Sequence, residues 1–407
     1  MLNELYQAIR VNNDLELKEF AKRSGVSVKR LKYYADELKL PSRDDLDKIL
    51  KTSGLSELEF KLKLGILDKK IISLLGEKSS EISMLLGDDV PEKLPDEISM
   101  VPGFQTSLGK LYQADCLELM RTIDKGSVDL IFADPPFNLN KSYESGINDK
   151  LSKREYLEWT EEWILGCVEL LKEGGSLFVW NLPMWNTYAA DILNKHLTFR
   201  HWIAVDIKYR LPIQNRLYPS HYSLLYYTKG AKPTTFNTQR IPLEVCRHCG
   251  GDHRDYGGYK DKLNINGINL TDVWYDIPPV RHSKYKTRDS NELSMKLLER
   301  IISLASKPGD LVFDPFGGSG TTFITSELLG RNWIGCEIGP IDSIAKRFED
   351  ISSHKEYLDR IMSNSNKLFT VETRKLREKY NHWLPETLGK KTKKNEQNSE
   401  QLGIFND

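Results

Sequence analysis

The run Val128-Asp129-Leu130-Ile131-Phe132-Ala133-Asp134-Pro135-Pro136-Phe137-Asn138 carries an apolar strand straight into a carboxylate, two prolines and an aromatic ring. A strand this apolar suits a parallel sheet covered on both faces, and functional residues of open α/β sheets stand at such strand ends. Taken alone, Asp-Pro-Pro is also an ordinary turn sequence. A second run, Leu311-Val312-Phe313-Asp314-Pro315-Phe316-Gly317-Gly318-Ser319-Gly320-Thr321-Thr322, repeats the arrangement as strand, glycine-rich turn and helix. Its glycines let the backbone approach a ligand closely. No lysine follows Gly320 and the G-x-G-x-x-G spacing is not met, so neither a P-loop nor a dinucleotide fingerprint is present. Seventeen residues after Gly320, at the end of the next strand, Glu337 is placed to accept hydrogen bonds from ribose hydroxyls. The two loops point to a nucleoside ligand.

Working outward, helical and strand patterns alternate. Helices are expected at Leu117 to Thr122, Lys153 to Leu171, Trp185 to Lys195, Asn291 to Ser306, Thr321 to Leu329 and Asp342 to Asn364. Strands are expected at Val128 to Phe132, Ser176 to Trp180, Leu311 to Phe313 and Trp333 to Cys336. This spacing predicts an α/β fold with a doubly wound, mainly parallel sheet. The α/β domain is expected over 105–365, with an aperiodic insertion at about 213–290. Residues 1–75 read as an all-helical module, with helices at Leu15 to Arg23, Val28 to Leu38, Asp44 to Lys51 and Glu57 to Leu64. Ser24-Gly25-Val26-Ser27, followed by Lys29, Arg30 and Lys32, is similar to a helix-turn-helix, although a plain helical pair has the same signature. Residues 76–104 read as an acidic, proline-punctuated linker with one short helix near its start, and 366–407 as a basic, partly disordered tail.

The 407 residues provide for two or three domains. With 39% hydrophobic and 29% charged residues the chain is neither a disordered polymer nor a disulfide scaffold. Neither a signal-peptide core nor an 18-residue apolar run is found, so a cytoplasmic location is expected. Lys and Arg balance Asp and Glu at 58 each, which excludes a globally basic nucleic-acid binder but not local patches. Arg200 to Lys262 holds 11 basic residues against 5 acidic, and Asn366 to Asn395 holds 9 against 3.

Together these motifs resemble those of DNA amino-methyltransferases, which transfer methyl groups from S-adenosylmethionine to exocyclic amines. Asp134-Pro135-Pro136-Phe137 matches their catalytic motif and Phe313 to Gly320 their cofactor motif. The motif order, catalytic loop first and cofactor loop last, resembles the permuted beta class, and the resemblance covers about Leu108 to Phe348. It implies that Asp134 and the Pro135 carbonyl accept the two amine N–H groups, that Phe137 stacks on a flipped base, and that Asp115 with Cys116 lies near the cofactor adenine. It places the cofactor against Asp134, Phe313, Asp314, Phe316, Gly317, Gly318, Ser319, Gly320, Thr321 and Glu337, and the strand His221 to Tyr227 beside the base. Where the family often has His-Pro-x-x-Lys-Pro, this chain reads Asp289-Ser290-Asn291-Glu292-Leu293-Ser294, leaving Asn291 and Ser294 to meet the methionine end. Asp rather than Ser ahead of the prolines favours adenine N6. Cytosine N4 is the nearest rival, followed by an RNA or protein-glutamine methyltransferase and a noncatalytic DNA-binding regulator. None of the five cysteines follows a proline, so the nucleophile used at the cytosine ring carbon is missing.

Double-stranded DNA is the expected partner, with a cognate restriction endonuclease in a restriction-modification system, and the chain is expected as monomer or homodimer. Arg247, Arg254, Lys260, Arg281, Lys284 and Arg288, interleaved with Tyr256, Tyr259, Trp274 and Tyr285, are what a DNA-reading insertion displays, or simply a solvated basic face. Cys246-Arg247-His248-Cys249-Gly250-Gly251 resembles half a zinc knuckle. A structural zinc site takes four ligands, and His253, His248 or His282 could add to the pair. The plainer reading is two cytosolic thiols in a turn.

Overall fold

The computed structural model describes residues 4–67, 69–86, 100–139, 151–206, 214–215, 217–251, 263–278 and 292–387. The described chain divides into two compact units, one made by the N-terminal helices with 138–139 and 151–160, the other by the remainder.

In the first unit α1 (Glu4–Ala8), α2 (Asp14–Ser24), α3 (Val28–Asp36), α4 (Arg43–Ser53) and α5 (Glu57–Lys63) bury Leu17, Phe20, Leu31, Ile49 and Phe60 in one cluster. Asn13 accepts from the N–H groups of Leu15 and Glu16 to start α2, and the left-handed Gly25 ends it. Ser27 then caps α3. The turn has the expected shape, but two of its three basic side chains are engaged: Arg30 lies 2.7 Å from the buried Asp45 and Lys32 lies 3.0 Å from Asp14. The one short helix expected near the start of the linker is α7 (Ser79–Leu86), and it is preceded by a helix the sequence reading did not assign, α6 (Lys69–Glu77).

The second unit is built on a nine-stranded sheet. Its early elements are β1 (Phe104–Gln105), β2 (Gly109–Gln113), α8 (Cys116–Met120), β3 (Val128–Ala133), α9 (Lys153–Leu170, whose first eight residues group with the first unit), β4 (Leu171–Asn181), α10 (Pro183–Leu193), β5 (Thr198–Asp206) and β6 (His221–Thr228). Short strands follow, β7 (Arg240–Ile241), β8 (Ile268–Asn269) and β9 (Val273–Trp274), then α11 (Met295–Ala305), β10 (Leu311–Asp314), α12 (Thr321–Leu328), β11 (Asn332–Glu337), α13 (Asp342–Glu349), α14 (Ile351–Ser363) and α15 (Val371–Lys379). The single long helix expected over Asp342 to Asn364 breaks at Asp350, whose φ of −104° and ψ of 34° leave the helical region.

The strand order is β1-β2-β11-β10-β3-β4-β6-β5-β9. Strands β2, β11, β10, β3 and β4 run parallel, while β6 is antiparallel to both neighbours and β1 is antiparallel to β2. From β3 the chain winds outward through β4, and after α11 it returns to the other side of β3 and winds the opposite way through β10 and β11. The apolar runs seen in the sequence fill the centre: Leu130, Phe132, Phe178, Leu298, Ile301 and Val312 are fully buried in one cluster. Parallel strands covered on both faces demand this continuous apolarity.

The stretch expected as an insertion, 213–290, is not all inserted: β6 lies inside the sheet between β4 and β5, because its apolar residues pair with both, and β9 extends the edge by pairing to β5. Between β6 and β9 the described residues include the two-stranded ribbon β7–β8, and the chain beyond α14 is laced into it. The N–H of Asn366 donates to Arg240 O, that of Leu368 to Ile265 O, and that of Leu243 to Leu368 O. Arg377 is fully buried, with its guanidinium 4.3 Å from the Phe369 ring centroid and 4.5 Å from that of Trp383. It donates to the carbonyls of Trp383 and Gly250. Of the stretch that its charge sets apart as a basic tail, 366–387 is therefore packed on the insertion, because one of its cations is stacked between two rings and hydrogen-bonded; 388–407 lie outside the described residues.

Replacing Arg377 with alanine strips two buried carbonyls of their donor and empties the slot between two rings. The expected loss is about 2–4 kcal/mol, read as a lower urea midpoint together with faster proteolysis within 240–251 and 366–387. An unchanged midpoint and cleavage pattern would show that the ribbon holds without this clamp.

Candidate functional site

The register of the parallel strands sets the site. Val312 pairs with Leu130 and Phe313 with Ile131, Asp314 with Gly335, and Glu337 with Gln113. The C-terminal ends of β2, β11, β10 and β3 therefore lie side by side, and just beyond them come Asp115, Glu337, Asp314 with its glycine loop, and Asp134. This edge is the switch point where winding reverses, the place where open α/β sheets leave a crevice.

The glycine loop is held by the end of β11. The Gly317 N–H donates to Cys336 O (2.7 Å) and the Gly318 N–H to Glu337 Oε2 (2.7 Å), while Glu337 Oε1 accepts from Gly339 N–H (3.0 Å). Each Glu337 oxygen keeps a lone pair for a further donor. Gly320 turns the loop into α12 at φ +77°, and a methyl group there would lie 2.4 Å from Ile344 Cγ2, so glycine is required on both counts. Asp314 is fully buried. Its Oδ1 accepts from Phe316 N–H (2.9 Å), and burial pushes its carboxyl up to about 7, against the opposing hydrogen bond from Thr322.

Beneath the loop Arg347 donates to Ser319 O and to Thr321 Oγ1 (3.0 Å), and Glu292 lies 3.4 Å from the same guanidinium nitrogen. This network ties the segment leading into α11 to the glycine loop. Ser294, at the start of α11, is 5% exposed, and its Oγ is buried without a hydrogen-bond partner among the described residues. A partnerless buried hydroxyl is costly unless a ligand supplies the partner.

Asp134 and the half-buried Phe137 face an aromatic wall. The Phe137 and Tyr222 ring centroids lie 5.9 Å apart, and those of Trp180 and Tyr222 4.8 Å apart. The Trp185 indole N–H donates to Phe137 O (2.8 Å), which fixes the loop after the two prolines. Burial raises the Tyr222 phenol pKa, and the negative Asp134 raises it further.

Not every side chain expected at the site turns toward it. Phe313 is fully buried, and Cys116 is buried with its thiol pushed up to about 12, so both belong to the packing. Ser319 and Thr321 direct their hydroxyls at each other (3.1 Å) and at Arg347. Asp115 caps α8 by accepting from Leu117 N–H (2.8 Å) and sits one strand away from Glu337. Phe316 packs edge-on against Trp163 at 5.3 Å. Trp180 and Trp185 escaped sequence reasoning, although Trp180 near the end of a strand beside β3 carried a usable signal. Arg347 and Glu292 carried none, since charges on or before an amphipathic helix ordinarily read as solvated.

In the insertion Arg247 is exposed on the cysteine turn. Asn291, Arg254, Lys260, Arg281, Lys284 and Arg288, with His253 and His282, lie outside the described residues. The N–H groups of His248 and Cys249 point at the Cys246 sulfur and lower its pKa. Among the described residues no group of three or more His, Cys, Asp or Glu side chains is gathered for a metal ion, and no helix is long and apolar enough to cross a membrane.

Residues 128–347 match the model of a DNA methylase family with N6 and N4 amino specificities. Over 397 residues the chain is 47% identical to the Type II methyltransferase M.BamHI of Bacillus amyloliquefaciens, spanning 95% of this chain and 94% of that protein. It is 31% identical over 248 residues to the DNA adenine methyltransferase YhdJ of Escherichia coli (strain K12), spanning 60% of this chain and 83% of that protein. Among solved structures, the PvuII DNA methyltransferase (cytosine-N4-specific) aligns with a TM-score of 0.47 at 20% identity, covering 65% of this chain and 96% of its own.

Asp314 makes stability depend on pH in a defined direction. Folded, it keeps its proton up to about pH 7; unfolded, an aspartate loses it near about 3.9. Its stabilising effect is complete below about pH 4 and is lost as pH rises to about 7, by a few kcal/mol at most. Urea midpoints at pH 5 and pH 8 should fall further apart in the parent chain than in Asp314→Asn. Equal differences would place the carboxyl in a more polar setting than its burial implies.

Proposed function

The chain belongs to the N6/N4 DNA methylase family, and on that footing we propose that it is a site-specific DNA methyltransferase, moving a methyl group from S-adenosylmethionine to the N6 amine of an adenine flipped out of duplex DNA, within a restriction-modification system. The observation that carries this reading is the register of β10 on β3, which sets the Asp134 loop and the glycine loop side by side across the switch point.

The residues at that edge suit S-adenosylmethionine. Glu337 has spare lone pairs for two ribose hydroxyls, the glycine loop passes beside it, and the partnerless Ser294 hydroxyl offers a polar contact for the amino-acid end. When bound, the cofactor supplies an electrophilic methyl group on a positively charged sulfur. An exocyclic base amine is a poor nucleophile because its lone pair is delocalised into the ring. Asp134 accepts one amine N–H and the Pro135 carbonyl the other, which localises the lone pair on nitrogen and aims it at the methyl group; as the N–C bond forms the methyl's bond to sulfur breaks, and the amine gives up one proton. The prolines keep this pair of acceptors rigid and bring no backbone N–H of their own. Phe137 offers its face to the base, with Tyr222 behind it, and this stacking offsets part of the cost of extrusion from the duplex. Holding amine and methyl in line is then the main source of acceleration.

These acceptors serve an exocyclic amine on either base. The choice of adenine rests on Asp134 standing where a serine could stand, and cytosine N4 is the competing product. Nucleoside analysis of DNA methylated by the purified chain should yield N6-methyladenine; N4-methylcytosine would reassign the base and leave the mechanism intact.

Asp134→Ala should reduce methyl transfer on the order of 10²–10³-fold with cofactor affinity little changed, whereas Glu337→Ala should weaken cofactor binding measured by calorimetry. An Asp134→Ala enzyme retaining more than about a tenth of the parent rate would contradict its place at the amine. Phe137→Ala should lose more activity on fully paired DNA than on a duplex mismatched at the target, because the mismatch lowers the cost of extrusion. Equal losses on both duplexes would leave Phe137 a packing role only.

A further inference from the structure

The turn at Cys246 to Gly251 meets the chain beyond α15. Gly250 sits at φ +69°, its N–H donates to Cys246 O (2.7 Å), and the Cys246 N–H donates to Gly251 O (3.0 Å), which closes the turn into a knuckle. The N–H groups of His248 and Cys249 point at the Cys246 sulfur, and the Cys249 side chain is within hydrogen-bond reach of it. His382 approaches the same turn from the far end of the chain. A β-carbon placed on Gly251 would lie 3.3 Å from Cys249 Sγ and 3.5 Å from His382 Nε2. That nitrogen is closed off from solvent and has no hydrogen-bond partner among the described residues.

A buried imidazole nitrogen with nothing to bond is costly as it stands. Two thiols and an imidazole are the donors that zinc selects. We propose that Cys246, Cys249 and His382 bind one zinc ion, which ties the C-terminal segment to the insertion. Binding displaces the two thiol protons, so two thiolates and a neutral imidazole face the ion and a water takes the fourth place, the donor count of an open zinc site and not of a closed structural one. Three donors are not already gathered among the described residues. The ion draws the His382 ring toward the sulfurs across the space that Gly251 leaves open. Two unliganded thiols in a turn would account for the cysteine spacing but not for the partnerless nitrogen of His382.

The test is metal analysis of the untagged full-length chain purified without chelators. One zinc per chain is expected, and cobalt exchanged into the site should show thiolate-to-metal charge-transfer absorption. His382→Ala and Cys249→Ser should each lose most of the metal, while His248→Ala keeps it. His382→Cys should keep the metal and shift the cobalt spectrum toward a third thiolate, a readout available even where the alanine variant folds poorly. A parent chain that carries no zinc and takes up none when it is supplied would overturn the proposal. So would full metal retention by a folded His382→Ala, or a loss confined to His248→Ala.

Discussion

Everything catalytic in this molecule hangs on a short stretch of parallel pairing, Val312 to Leu130 and Phe313 to Ile131. Those bonds join strands about 180 residues apart in sequence. One is an apolar run ending in Asp134, the other an apolar run ending in Asp314. A slip of one residue would turn every side chain of the short strand β10 to the opposite face. The apolar cover on both faces makes such a slip expensive, since Val312 and Phe313 are fully buried. The distance between the two loops is therefore set by the core, not by the loops themselves.

Much of this was legible beforehand because it depends on local chemistry. Central strands must be apolar, turns to a ligand must be glycine-rich, and helix starts need caps, so β3, β10, β11 and α12 could be read from residue order alone. Asp134 and Glu337 were visible because an acid directly after a buried strand has few structural reasons to be there. What was hidden arises from long-range partners. Strand β5 has an irregular pattern of burial and finds its place only through β6 and β9. Arg347 looks like a surface residue of α13 until the glycine loop covers it, and Ser319 and Thr321 look like ligand contacts until Arg347 claims them. His382 has no motif at all; only folding carries it to the cysteines.

The site's support is also more charged than a core ordinarily tolerates. Glu292 and Arg347 are withdrawn from water as a pair near the same loop, and Asp314 is buried there with its proton kept up to about pH 7. Removing one partner of such a group leaves the other stranded, which is why buried ionic networks break expensively even when they add little net stability. Here they rigidify a loop whose Gly318 N–H, together with that of Gly339 after β11, already holds Glu337. The carboxylate is aimed before any ligand arrives, and less ordering is left to be done on binding.

The lacing of residues 366–368 and Arg377 into the β7–β8 ribbon has a consequence in time. During synthesis Gly250 emerges more than a hundred residues before the arginine that binds its carbonyl. At roughly 5–20 residues per second, the ribbon waits on the order of ten seconds for its last partner. The insertion is therefore the last part of the second unit to finish packing, after both loops of the parallel sheet have been made. A nascent or truncated chain ending before residue 366 would contain every strand of that sheet while its insertion still lacked the segment that closes it.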